Sequence, residues 1–101
     1  MSVERTQTGH EIRYELRHGA ALVCVLVFGG PEIEPVAWKI LLPGPAGTED
    51  LYATKRFRAP DAVQLQAWLT PIVGTGAAAE VTGAVDAQPP LTSGWERQHS
   101  S

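Results

Sequence analysis

A chain of 101 residues, 44% apolar and 19% charged, has room for one hydrophobic core and too little sequence for two ordinary domains; the composition excludes a wholly disordered or fibrous polymer. A net charge of −3 gives no overall positive field to draw it onto nucleic acid or an anionic membrane, so either partner would need a local basic patch. The one cysteine, Cys24, has no internal disulfide partner. The N-terminus lacks an apolar leader, and the apolar run at 20–28 is far shorter than the about 20 residues of a membrane span. A cytoplasmic protein without a membrane partner is expected.

Residues 1–9 are polar without periodicity and read as a flexible arm. From Glu11 to Arg17 charged and apolar residues alternate without a break, which places Ile12, Tyr14 and Leu16 on one face of a half-buried strand. His18 and Gly19 supply a turn. The Val-rich run that follows is too short for a helix of its own and is expected to be a central strand hairpinned to the first. Gly29, Gly30 and Pro31 end it.

A third strand is predicted with Val36, Trp38, Ile40 and Leu42 on one face and Ala37, Lys39 and Leu41 on the other. The loop Pro43-Gly44-Pro45-Ala46-Gly47 separates it from a fourth strand at 51–58, whose Leu51, Ala53 and Phe57 are expected to face the core. Pro60 and Asp61 open a helix, proline fitting a first turn and aspartate meeting the positive end of the helix dipole. Its apolar stripe is Ala62, Leu65, Trp68, Leu69 and Ile72, with Pro71 expected to kink or end the helix and Gly74 to close the segment.

Beyond Gly74 the composition turns to Ala, Gly, Thr, Ser and Pro, which predicts a low-complexity flexible tail over 75–101, apart from a turn of helix around 77–81 that Gly83, Pro89 and Pro90 would stop. The predicted fold is therefore α+β: a four-stranded antiparallel sheet of two hairpins packed by one C-terminal helix, in a β-β-β-β-α domain over 10–74. That layout is similar to those of several unrelated small modules, among them single-stranded-DNA-binding coactivators and compact phage-encoded inhibitors of bacterial defence complexes. No residue carries over from that likeness.

No constellation of catalytic or metal-binding residues stands out, and no enzyme activity, cofactor or metal is expected. Cys24 in an apolar strand reads as a small core residue. His10 and His18 bracket one strand, roughly 26 Å apart at about 3.3 Å per residue, too far to share a metal. Glu32 with Glu34 and Glu49 with Asp50 read as solvated loop acids, and the 43–50 loop lacks the lysine of a phosphate-binding loop. His99 stands alone near the end of the chain.

The informative feature is the second strand, apolar on both faces although a single helix covers only one. Alternation puts Val23, Val25 and Val27, beside Ala37 and Leu41, on the uncovered face, with Arg13, Arg17, Tyr52, Arg56 and Arg58 around them. An apolar centre inside a charged rim is the make-up of a protein interface. The expected function is a non-enzymatic interaction module, an adaptor or inhibitor, that binds another protein or itself as a homodimer through this face. The alternative is a single-stranded nucleic-acid-binding module using Arg13, Arg17, Lys55, Arg56 and Arg58 around Tyr52. A competing possibility is that the tail folds back over the face, anchored by Val81, Val85, Leu91 and Trp95.

Overall fold

The computed structural model describes residues 1–9, 11–29, 36–57 and 61–89. Among these, five strands and two α-helices form: β1 (Ser2–Thr8), β2 (Glu11–His18), β3 (Ala21–Phe28), β4 (Val36–Pro43), β5 (Glu49–Phe57), α1 (Ala62–Val73) and α2 (Thr75–Ala87). The strands pair antiparallel in chain order, with β3 in the middle and β1 and β5 at the edges. The class is α+β with an antiparallel sheet, as the sequence predicts, but the count of four strands and one helix is corrected to five and two.

Both corrections fall on segments poor in large apolar residues. Residues 2–8 are no arm but a strand along β2, running from Ser2 opposite Arg17 to Thr8 opposite Glu11. Its one apolar side chain, Val3, packs against the core, and a left-handed Gly9 (φ 58°) turns the chain after it. Residues 75–87, expected in a flexible tail, form α2 because Ala77, Val81 and Val85 recur every four residues and Ala78 and Thr82 lie beside them, all five buried. Two glycines weaken its intrinsic propensity, but packing against β2, β1 and α1 prevails.

α1 begins close to where the sequence predicts, with Asp61 as the residue before its first turn and Pro60 outside the described residues. Asp61 is its N-cap, the side chain accepting the Gln64 amide at 2.9 Å. Leu65 and Leu69 are buried, and Ala62, Trp68 and Ile72 flank them. Pro71 lies within the last turn without ending the helix, and Gly74, at φ 96°, is the joint at which α1 stops and α2 starts.

The core lies between the helices and one face of the sheet. Ile12, Tyr14 and Leu16 of β2, Cys24, Leu26 and Phe28 of β3, and Trp38 and Ile40 of β4 meet Leu65, Leu69, Ala78, Val81 and Val85. Trp38 stands edge-on to Phe28 with ring centres 5.1 Å apart, and Trp68 of α1 stands edge-on to Phe57 of β5 at 6.0 Å. Burial pushes the Cys24 thiol up to about 11, so at neutral pH it is protonated and a poor nucleophile.

The end of α2 is tied to the sheet through a buried tyrosine. Tyr14 Oη donates to the Gln88 carbonyl at 2.6 Å and accepts from Arg5 Nε at 3.3 Å, while Arg5 Nη2 donates to the Pro89 carbonyl at 3.3 Å. Burial raises the Tyr14 pKa, and the Arg5 charge opposes that rise. Arg5 thus joins β1 to β2 and both to α2, which gives a polar strand a place in the fold.

The docking of α2 predicts opposite effects at two neighbouring positions. Val81→Ala should cost about 1–3 kcal/mol as a large-to-small core change. Gly83→Ala should stabilise by about 0.5–1 kcal/mol, because an added Cβ there meets nothing within 4 Å. Denaturant unfolding checks both, and two variants indistinguishable from wild type would mean that the segment does not pack on the sheet.

Candidate functional site

The helix-free face of the sheet was the predicted docking surface, and its geometry follows from two irregularities. Between Leu16 and Arg17 the β2–β3 register shifts, Leu16 facing Cys24 and Arg17 facing Leu22. Val23 is the extra residue and packs against the core cluster, to which Val25 and Val27 do not belong. A second shift lies between β4 and β5: Ile40 faces Ala53, Leu41 faces Leu51, and Tyr52 is the extra residue. A bulge of this kind inverts the alternation, so Leu51, expected to face the core, is turned outward and is 58% exposed.

Val25 and Val27 do lie on the helix-free face, Val25 between Glu15 and Leu41, Val27 between Arg13 and Lys39. Their exposures are nevertheless 0% and 3%. Around them on that face stand long charged side chains joined in ion pairs. Arg13 donates through Nη2 to Glu49 at 2.6 Å and to Glu15 at 3.1 Å, Arg17 reaches Glu15 at 3.4 Å, and Lys39 reaches Glu11 at 3.4 Å. The bond to Glu49 above all raises the Arg13 pKa, against the desolvation that lowers it.

The Arg13–Glu49 bond also reports the shape of the sheet. Arg13 is on β2 and Glu49 on β5, and the register leads from Arg13 through Val27 and Lys39 to Thr54, not to Glu49. In a flat sheet the two residues would therefore stand about 14 Å apart across the strands and a further distance of about 13 Å along them, at about 4.8 Å per strand and about 3.3 Å per residue. A contact of 2.6 Å over that gap requires the sheet to be coiled with this face concave. Coiling is the natural consequence of strand twist, and both bulges add to it locally. The hydrocarbon stems of Arg13, Arg17 and Lys39 can then lie over the valines while their charged ends reach carboxylates at the rim.

The predicted site residues therefore separate. Arg13 and Arg17 are engaged with Glu15 and Glu49; Val25 and Val27 are buried within the single chain, and Val23 belongs to the other side. Leu41 is half-buried, facing Leu51, while Tyr52 and Arg56 are exposed on β5. Arg58 lies outside the described residues, as do His10, Glu32, Glu34, Pro60, Leu91, Trp95 and His99.

What remains accessible is the outer strand β5. Among the described residues, the large apolar side chains more than half exposed are Met1, Val63, Leu51 at 58% and Tyr52 at 61%, and only the last two are neighbours. Leu41 extends the apolar patch inward from Leu51. Lys55 and Arg56 stand at one end of the strand, exposed and engaged by no ion pair among the described residues. Glu49 and Asp50 stand at the other. Asp50 accepts from the Thr48 hydroxyl at 3.1 Å, and a Cβ at Gly44 would run into its carboxylate, so the 44–48 loop sets the acidic end of the strand. Leu51 and Tyr52 were legible as apolar residues; their joint exposure depends on the bulge, which no residue type announces.

Elsewhere an open groove of about 420 Å³ runs between β1 and α2, lined by Met1, Val3, Ala79 and Gly83 among others. Among the described residues no three His, Cys, Asp or Glu side chains lie together as a metal site would need, and no helix is long and apolar enough to cross a membrane. The chain matches no protein-family model, and no curated protein or solved structure resembles it closely enough to carry an inference.

The roof over the valines is testable by separating stem from charge. Arg13→Met keeps most of the stem and should cost about 0.2–1 kcal/mol, a loss that shrinks in 1 M salt. Arg13→Ala also uncovers Val27 and should cost about 1 kcal/mol more, insensitive to salt. Equal stabilities for the two variants in urea would contradict a roof of side-chain stems.

Proposed function

We propose that this chain is a small non-enzymatic protein-interaction module, an adaptor or inhibitor, that engages its partner through β5. The observation that carries the reading is the adjacent exposure of Leu51 and Tyr52 on a bulged outer strand. A bulge re-aims side chains, and one that turns two large apolar neighbours to solvent produces a ready anchor for a partner. Leu41 widens the apolar centre, and Glu49, Asp50, Lys55 and Arg56 form a polar margin of both signs. The reading keeps Leu41, Tyr52 and Arg56 from the sequence-derived surface and moves its centre from the valines to the strand edge. The lone cysteine, held as a protonated thiol by burial, fits a cytoplasmic setting.

A nucleic-acid role finds less support, because the charges of Arg13 and Arg17 are already met by Glu15 and Glu49. The experiment is affinity capture from the native host, using the wild-type chain and a Leu51→Ser, Tyr52→Ser double variant, alongside an oligonucleotide titration at two salt concentrations. A specific protein retained by wild type at 0.5 M salt and lost with the double variant is the expected result. Oligonucleotide binding that falls steeply with salt, with no protein lost on substitution, would overturn the proposal in favour of nucleic acid.

A further inference from the structure

The two faces of β5 can be assigned from its pairing with β4. Thr54 and Arg56 lie opposite Lys39 and Ala37, and Leu51 and Glu49 opposite Leu41 and Pro43, so these four belong to the helix-free side. Asp50, Ala53 and Lys55 lie opposite Leu42, Ile40 and Trp38 on the helix side. Tyr52, the bulged residue, belongs to neither series.

With Tyr52 set aside, the strand is self-complementary. A two-fold axis normal to the sheet and passing by Ala53 would bring a second β5 alongside in antiparallel sense. It would set Glu49 opposite Arg56, Asp50 opposite Lys55, Leu51 opposite Thr54, and Ala53 opposite its own copy. Such an axis preserves faces, so directly opposed residues must share one. All of these pairs do, and only because of the bulge: Glu49 and Arg56 are seven residues apart and would otherwise lie on opposite faces. Every charge on the strand thereby meets its opposite, four ion pairs across the junction, with the exposed Leu51 and Tyr52 at its centre. A parallel approach would set acid against acid.

From this register we propose that the partner at β5 is a second copy of this chain, joined edge to edge about a two-fold axis at Ala53 into a ten-stranded sheet. The inference rests on β5 being the contact surface, as proposed above. A bulge and a lysine on an edge strand ordinarily discourage pairing with arbitrary strands. Here they select instead, since Lys55 repels a generic apolar edge and is matched by Asp50 of the copy. Glu49 can serve both Arg13 of its own chain and Arg56 of the other, a carboxylate having room for several donors. The opposite edge offers nothing comparable: Arg5 of β1 is held by Tyr14 and Pro89.

The test is sedimentation equilibrium on the purified full chain, on Asp50→Lys, on Lys55→Glu, and on an equimolar mixture of the two variants. Wild type should dimerise at sub-millimolar concentration. Each variant alone, with two repelling pairs in place of two attractive ones, should associate about tenfold or more weakly. The mixture should recover wild-type association as a one-to-one heterodimer, because each altered charge again meets its opposite. Lys55 makes no bond within the single chain among the described residues, so Lys55→Glu and a Lys55→Glu, Asp50→Lys double variant, which should self-associate as wild type does, keep the test open if Asp50→Lys alone disturbs the loop. A wild-type chain monomeric at about 1 mM, or variants that dimerise as tightly as wild type, would overturn the proposal. If the chain is monomeric yet still captures another protein in a manner dependent on Leu51 and Tyr52, self-pairing falls and the interaction reading stands.

Discussion

β3 is apolar on both faces and must be buried on both, and the other elements are arranged around that demand. Leu26, Cys24 and Phe28 are met by the two helices. Val25 and Val27 face away from both helices of the described residues, yet exposing two valines would forfeit about 1.5–3 kcal/mol each, a large share of the margin of a domain this size. Curvature accounts for this: a sheet coiled until β5 comes within reach of Arg13 on β2 lets the stems of long charged side chains lie over the concave surface. An ion pair of this kind, still partly open to solvent, contributes little by its charges alone. Its greater contribution is positional, holding hydrocarbon over the valines.

That solution decides what the molecule has left to offer a partner. A surface that would be an apolar plate in a flat sheet becomes part of the interior. The same bulge that helps the sheet coil turns Leu51 and Tyr52 outward at the edge. Burial in the middle and exposure at the margin are thus two results of one departure from regular alternation.

How much of this was legible in the sequence follows from where alternation holds and where it breaks. Ile12, Tyr14 and Leu16 stand where their period of two puts them, as do Trp38 and Ile40, and Asp61, Leu65 and Leu69 mark the first helix as their spacing implies. Val23 and Leu51 were placed on the wrong faces because each adjoins a bulge, which depends on how two strands fit and carries no residue signature here. α2 was hidden by the Ala, Gly, Thr, Ser and Pro composition and by Gly83, although Ala77, Val81 and Val85 recur at helical spacing; low propensity argues against a helix there, and packing prevails in the molecule. β1 was hidden for a different reason. Its place depends on backbone pairing and on Arg5 gripping Tyr14, contacts between residues nine apart that a hydrophobic pattern does not register.

Burial of the second face of β3 by the curvature and charged side chains of the single chain can be measured by methyl NMR of the dilute protein with a soluble paramagnetic agent. The methyl groups of Val25 and Val27 should be protected to the same degree as those of Leu26 on the helix side, while those of Leu51 are strongly broadened. Val25 and Val27 methyls as accessible as those of Leu51 would contradict the account and return the helix-free face to the role of an open docking surface.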